Sequence, residues 1–246
     1  MIIPDDVKSW VRSVFRACNV CTAERLMTMP NTHETALDQA FITEAAKFSA
    51  PVRLPSTWIV RIDTHFLGGG RHFNEWEVAD IGVLIQFRCA GKLVKSKVLL
   101  LQSKRLYPTE QDFDEDEPED YRIGFMRLFR EDTSFGEITK VRKFRFEDTS
   151  RNQALKVDDR QYKVVAAYEK QHKIPVCYLL YHPGVVPFEA EIPRTTAPQP
   201  MSAVEIGARV LPAHQLHKAL KGKPDGYVPK YADVKGLKPS PKIEGG

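Results

Sequence analysis

No stretch of this sequence approaches the roughly 20 consecutive apolar residues that a membrane-spanning helix requires. Its wholly apolar runs, such as Val98 to Leu101 and Ile81 to Ile85 around Gly82, are strand-sized, so no membrane partner is expected. A signal-peptide core is missing as well. Pro4, Asp5 and Asp6 precede an amphipathic stretch carrying Trp10, Val11, Val14 and Phe15, which reads as a capped helix, and the expected location is the cytoplasm. Cysteine is scarce: the four residues at 18, 21, 89 and 177 form one Cys-x-x-Cys pair and no second pair at metal spacing. That excludes a disulfide-dense scaffold. Zinc at Cys18 and Cys21 would need two further ligands, and His33 offers only one. Internal repeats are absent, and Gly68 to Gly70 lack the Lys-Ser/Thr ending of a phosphate-cradling loop.

What remains is ordinary globular material. The chain has 246 residues, of which 42% are hydrophobic and 28% charged, enough to bury a core with appendages and too apolar for general disorder. The net charge of +4 conceals an asymmetry, because eight of the eleven residues from Glu110 to Asp120 are acidic and none is basic. The other residues therefore carry 36 basic against 24 acidic side chains, a balance that suits a polyanionic partner. The acidic run itself reads as a solvated insertion.

Periodicity divides the chain. Leu37, Phe41, Ala45 and Phe48 recur at helical spacing within Thr32 to Phe48, with Thr32 and Thr35 available as caps and Pro51 and Pro55 beyond the end. Thr57 to Asp63 has strand character. Val78 to Phe87 and Lys97 to Lys104, separated by Cys89, Ala90, Gly91 and Lys92, form a hairpin signature. Helical spacing returns from about Asp158 to His172, and Pro175 to Tyr181 is an apolar, aromatic-rich strand. From Glu191 onward lie eight of the 17 prolines, and seven lysines fall between Lys218 and Lys242. This segment reads as an arm or linker, with a short helix around Ala203 to Leu211 that Pro212 would stop. The expected organisation is an N-terminal helical extension over 1–29, an α/β domain over 30–190 and the arm over 191–246.

The hairpin carries the candidate site. If it turns about a residue near Gly91, cross-strand partners sum to 182 or 184 and Asp80 faces Gln102 or Lys104. Opposed residues share a face and alternate residues share a face, so Asp80, Gln102 and Lys104 converge while Ile81, Val83, Leu99 and Leu101 fill the opposite side. A two-residue turn would slip the register by one and send Asp80 to the wrong face. Asp80 and Gln102 offer oxygen ligands suited to Mg²⁺, with Mn²⁺ as a substitute. Lys104 adds a charge that can orient a water and offset charge developing on a phosphoryl group. Glu75 and Glu77 flank the site, and His65 and His72 lie near the glycine loop, where solvated surface roles are expected.

Asp80 followed 22 residues later by Gln102, Ser103 and Lys104 on successive strands resembles the PD-(D/E)XK nuclease superfamily, in its Gln-x-Lys form. Two departures stand out: Ala79 occupies the usual proline position, and Gln102 that of an acidic residue. The resemblance covers about residues 30–182, including the later helix with Gln161 and Tyr162. It implies a restriction-endonuclease-like core of helix, three-stranded meander, helix and strand, with a mixed sheet flanked by helices. It places Glu34 on the first core helix as a third metal ligand beside Asp80 and Gln102, and Lys104 as the residue that orients the attacking water. Arg105 is expected to contact nucleic-acid phosphate.

The activity so implied is Mg²⁺-dependent endonucleolytic cleavage of DNA, in the setting of bacterial restriction or antiphage defence. Expected partners are DNA, a second copy of the chain and an ATPase or sensor subunit. Two alternatives stay open: a non-catalytic subunit that binds nucleic acid or a partner protein through the same fold, and a ribonuclease.

Overall fold

Asp5 and Asp6 place two negative charges at the start of the first helix, α1 (Asp5–Thr28), where the helix dipole favours them. Asp6 accepts hydrogen bonds from the Val7 and Ser56 backbone N–H groups at 2.9 and 2.8 Å, which ties the helix start to a distant loop. In the computed structural model, which describes residues 2–67, 78–112, 142–192 and 208–237, α1 buries Val7, Val11, Val14, Cys18 and Leu26 along one stripe. Through that stripe the described part of 1–29, expected as an extension, packs into the main core. The second helix, α2 (Glu34–Ala46), begins after His33 without a side-chain cap. Thr32, expected to cap it, turns back and donates to the Met29 carbonyl at 2.7 Å.

A six-stranded, mostly antiparallel sheet carries the molecule. Its strands are β1 (Val52–Arg53), β2 (Ile59–Phe66), β3 (Ile81–Cys89), β4 (Lys92–Arg105), β7 (Val176–Tyr181) and β9 (Ala208–Pro212), hydrogen-bonded in that order. β2, β3 and β4 form an antiparallel meander, and β7 lies parallel to β4 after a crossover through helix α3 (Arg160–His172). Asp159 caps α3 by accepting from the Tyr162 N–H at 2.8 Å, and Lys173 ends it at φ 58°, the left-handed stop common at helix C-termini.

The two faces of the sheet hold two cores. Ile81, Val83, Ile85, Phe87, Leu101, Leu179 and Tyr181 meet α1 and α2. Leu100, Tyr178 and Leu180 meet Val165 of α3 and Leu216 of α4 (Ala213–Ala219). β7, covered on both sides, is buried at every position, as a continuous apolar run on a parallel strand should be. A smaller sheet of β5 (Glu110–Asp112), β6 (Arg142–Phe146) and β8 (Phe188–Ile192) closes over Leu106, Phe146 and Tyr231, the last from α5 (Tyr231–Val234).

The C-terminal segment differs from the expected arm. Residues 208–237 are integral: β9 pairs antiparallel with β7, and α4 fills the second core. The expected helix around Ala203 to Leu211 is a strand over its described part, with Pro212 at the end of an edge strand, where its missing N–H costs no ladder bond. The acidic run enters the fold through β5; the rest of it, Gly68 to Gly70, His72, Glu75 and Glu77 lie outside the described residues. Among the described residues, no helix is long and apolar enough to cross a membrane.

Candidate metal and phosphodiester site

The register of the β3–β4 hairpin decides which side chains meet. The turn has two central residues, Ala90 and Gly91, at φ 49° and 77°, the positive-φ pair of a type I′ hairpin. Cys89 therefore pairs with Lys92 and Arg88 with Leu93, an offset that alone would put Asp80 on the wrong face. A bulge corrects it. Phe87 pairs with Lys95, leaving Val94 as the extra residue, and from there the ladder runs to Ile81 opposite Leu101. Asp80 sits just before β3 with its N–H donated to the Leu101 carbonyl at 2.8 Å, which continues the ladder and brings Asp80 opposite Gln102.

The two side chains touch. The Gln102 amide N–H donates to Oδ2 of Asp80. The backbone N–H and hydroxyl of Ser103 reach the same oxygen at 2.8 and 2.9 Å. Among the described residues, no hydrogen bond falls on Oδ1 of Asp80 or Oε1 of Gln102.

Glu34, in the first turn of α2, approaches from the side. One of its oxygens accepts the Arg105 backbone N–H at 2.9 Å, and the other lies 3.6 Å from the Lys104 ammonium. Lys104 is 3% exposed, and a cation so deeply placed requires a compensating anion. Burial pushes the Glu34 carboxyl above its ordinary range; the Lys104 charge opposes the shift and the Asp80 charge adds to it.

Asp38, one helical turn beyond Glu34, is the site residue that the sequence reading missed. It is buried and accepts the Tyr181 hydroxyl at 2.8 Å, while its other oxygen lies 3.0 Å from the Ser103 hydroxyl. Burial raises its carboxyl to about 7, and the nearby Asp80 charge contributes. A signal was present: an acidic residue flanked by Leu37 and Phe41 on the apolar side of the helix, four residues after Glu34.

Arg105 departs from its expected role. It is 2% exposed, donates to the Pro30 carbonyl and stacks over the Tyr107 ring at 4.4 Å. Its guanidinium is buried and engaged within the fold. Cys18 is buried, with its thiol pushed up to about 12 chiefly by burial. His33 precedes α2, and His65 is exposed on β2.

The donor set suits a hard cation. Glu34 and Asp80 supply carboxylates and Gln102 an amide oxygen. Burial raises the Glu34 and Asp38 carboxyls and the Asp80 charge adds to the rise, a cost that a bound cation would lessen. Among the described residues, no three His, Cys, Asp or Glu side chains are gathered as a metal-holding group, and Gln102 is the amide that would join Asp80 and Glu34 in holding a cation. Comparison with known proteins is negative throughout: no family model, curated protein or solved structure matches this chain.

Proposed function

We propose that the chain is a metal-dependent deoxyribonuclease with a restriction-endonuclease-like core. The observation that carries this reading is the contact of Asp80 with Gln102, beside a buried Lys104 that is paired with Glu34. The element order supports it: α2, the meander β2–β3–β4, α3 and then β7 parallel to β4.

Asp80 and Gln102 would hold Mg²⁺ or Mn²⁺ as oxygen ligands, with Glu34 assisting. The ion, when bound, supplies Lewis acidity toward the phosphoryl oxygen and lowers the pKa of a bound water. Lys104 orients the attacking water and offsets the charge that develops on the phosphate. Ser103 fixes the Asp80 carboxylate. Phosphate binding rests on the site and on exposed basic residues, not on Arg105, and DNA affinity should fall with salt as counterions are released. Work in the cytoplasm on foreign DNA, as a dimer or with an ATPase or sensor subunit, extends this reading by resemblance alone.

One observation favours a second reading, a non-catalytic nucleic-acid- or partner-binding subunit. Gln102 is neutral, and its amide is committed to Asp80, which leaves a weaker ligand set than two carboxylates on one hairpin would give. A substrate panel separates the readings. Wild-type protein should nick supercoiled plasmid with Mn²⁺, and Asp80→Ala should not. Cleavage confined to RNA would make the enzyme a ribonuclease, and binding without cleavage of any substrate would favour the subunit.

A further inference from the structure

Ser103 stands between two carboxylates with one proton to give. Its Oγ lies 3.0 Å from Oδ2 of Asp38 and 2.9 Å from Oδ2 of Asp80. Ionised carboxylates only accept, so a single hydroxyl satisfies one of them and leaves the other facing a lone pair. One arrangement satisfies every group. Tyr181 donates to Oδ1 of Asp38, a proton on Oδ2 of Asp38 is donated to Ser103, and Ser103 donates to Asp80. All three donors then point the same way, and each bond polarises the next. The elevated Asp38 carboxyl, raised first by burial, is consistent with that proton.

We propose that Asp38, braced by Tyr181, is a positioning residue that acts through Ser103 to lock Oδ2 of Asp80 against the protein, leaving Oδ1 as the one oxygen presented to a cation. This rests on the metal-site reading above. Three donors converge on Oδ2, from Gln102, the Ser103 N–H and the Ser103 hydroxyl. Rotating the carboxylate would break all of them, so a cation meets a preoriented, single-oxygen ligand. Asp38, Ser103 and Tyr181 are all buried, which keeps water from replacing any link. The chain also joins three elements: α2 through Asp38, β4 through Ser103 and β7 through Tyr181.

Two measurements on the full chain test this. In the first, Mn²⁺ is titrated calorimetrically into wild type, Asp80→Ala, Ser103→Ala, Asp38→Ala and Asp38→Asn. Ser103→Ala and Asp38→Ala should weaken Mn²⁺ binding about tenfold, the usual effect of losing an outer partner of a ligand. Asp38→Asn should stay within about twofold, because its amide oxygen accepts from Tyr181 and its N–H donates to Ser103. Equal weakening by Ala and Asn, or no weakening by either, overturns the proposal.

The second measurement needs no metal. In EDTA, Asp38→Ala and Asp80→Ala are combined, and their effects on the unfolding constant should be non-additive by about fivefold. The non-additivity should vanish in a Ser103→Ala background. Additive effects in EDTA overturn the positioning chain whatever Mn²⁺ does. Wild type that binds no Mn²⁺ while the coupling persists overturns the metal-site reading and leaves the chain standing.

Discussion

Gln102 donates its amide N–H to Oδ2 of Asp80, which an ionised carboxylate at position 102 could not do. The amide is a neutral ligand that also orients its charged neighbour, so the glutamine acts as more than a weakened carboxylate.

Gln102→Glu should therefore have opposite effects without and with metal. In EDTA it replaces a donor with a second carboxylate against Asp80, and the protein should lose about 1–3 kcal/mol. Mn²⁺ should then raise the melting temperature more than it does for wild type, since the added charge binds the cation. Thermal melts with and without Mn²⁺ check both halves. Unchanged stability in EDTA would contradict the contact.

The turn offers a test separate from the site. Gly91 sits at φ 77° with open space where a Cβ would go, so Gly91→Ala should cost about 1 kcal/mol through backbone conformation alone. A loss of that size lowers the melting temperature by roughly 2–4 °C for a domain of this length. Ala90, at φ 49°, should be improved by Asn, which tolerates that conformation in type I′ turns. Neither change should alter Mn²⁺ binding.

Tyr181→Phe removes only the hydroxyl that Asp38 accepts at 2.8 Å. Leaving a buried acceptor unpaired should cost about 1–3 kcal/mol, read as a shift in urea midpoint without a change in slope. A neutral substitution would mean that water reaches Asp38.

Two buried groups give opposite pH dependences in metal-free protein. The folded chain holds the Asp38 proton up to about pH 7, whereas the ordinary value is 3.8, so this group's contribution to stability declines as pH rises between those values. Asp38→Asn should gain on wild type by a few kcal/mol on the order of the shift when pH is raised across that window. His182 behaves in reverse. Its Nδ1–H donates to the Pro183 carbonyl at 2.7 Å, and burial lowers its pKa from 6.5 to about 4. The unfolded chain binds this proton first, so stability is lost as pH falls from 6.5 toward 4. His182→Gln should flatten the acid side of the profile, and urea titrations at several pH values measure both slopes.

Much of this architecture is legible in the sequence because local pattern and tertiary environment agree. Val176–Tyr181 is an unbroken apolar run and lies buried on both faces; Arg160–His172 has a capping Asp159 and a helical period. The meeting of Asp80 with Gln102 is legible only in outcome. A turn centred on one residue was expected, whereas a two-residue turn and a compensating bulge at Val94 produce the same face. No propensity marks that bulge. β9 reads as helix because Ala208, Val210 and Leu211 carry no strand alternation of their own, and pairing with β7 overrides local preference. Arg105 reads as a surface cation because its burial depends on the Pro30 carbonyl and Tyr107 ring, the former 75 residues away along the chain. Asp38 was hidden because a polar residue in a helix reads as solvated until β7 places Tyr181 beside it.

The most direct test of the central claim is cleavage of supercoiled plasmid by wild type and Lys104→Met, a variant that keeps the buried stem and removes the charge. Both are assayed with Mg²⁺, Mn²⁺ or EDTA, with folding and DNA binding measured in parallel. Wild type should nick the plasmid only with metal, and the substitution should reduce nicking about 10²–10³-fold with DNA binding retained. Cleavage that survives the substitution or EDTA, or no cleavage by a wild type that binds DNA as well as the variant does, would contradict the claim.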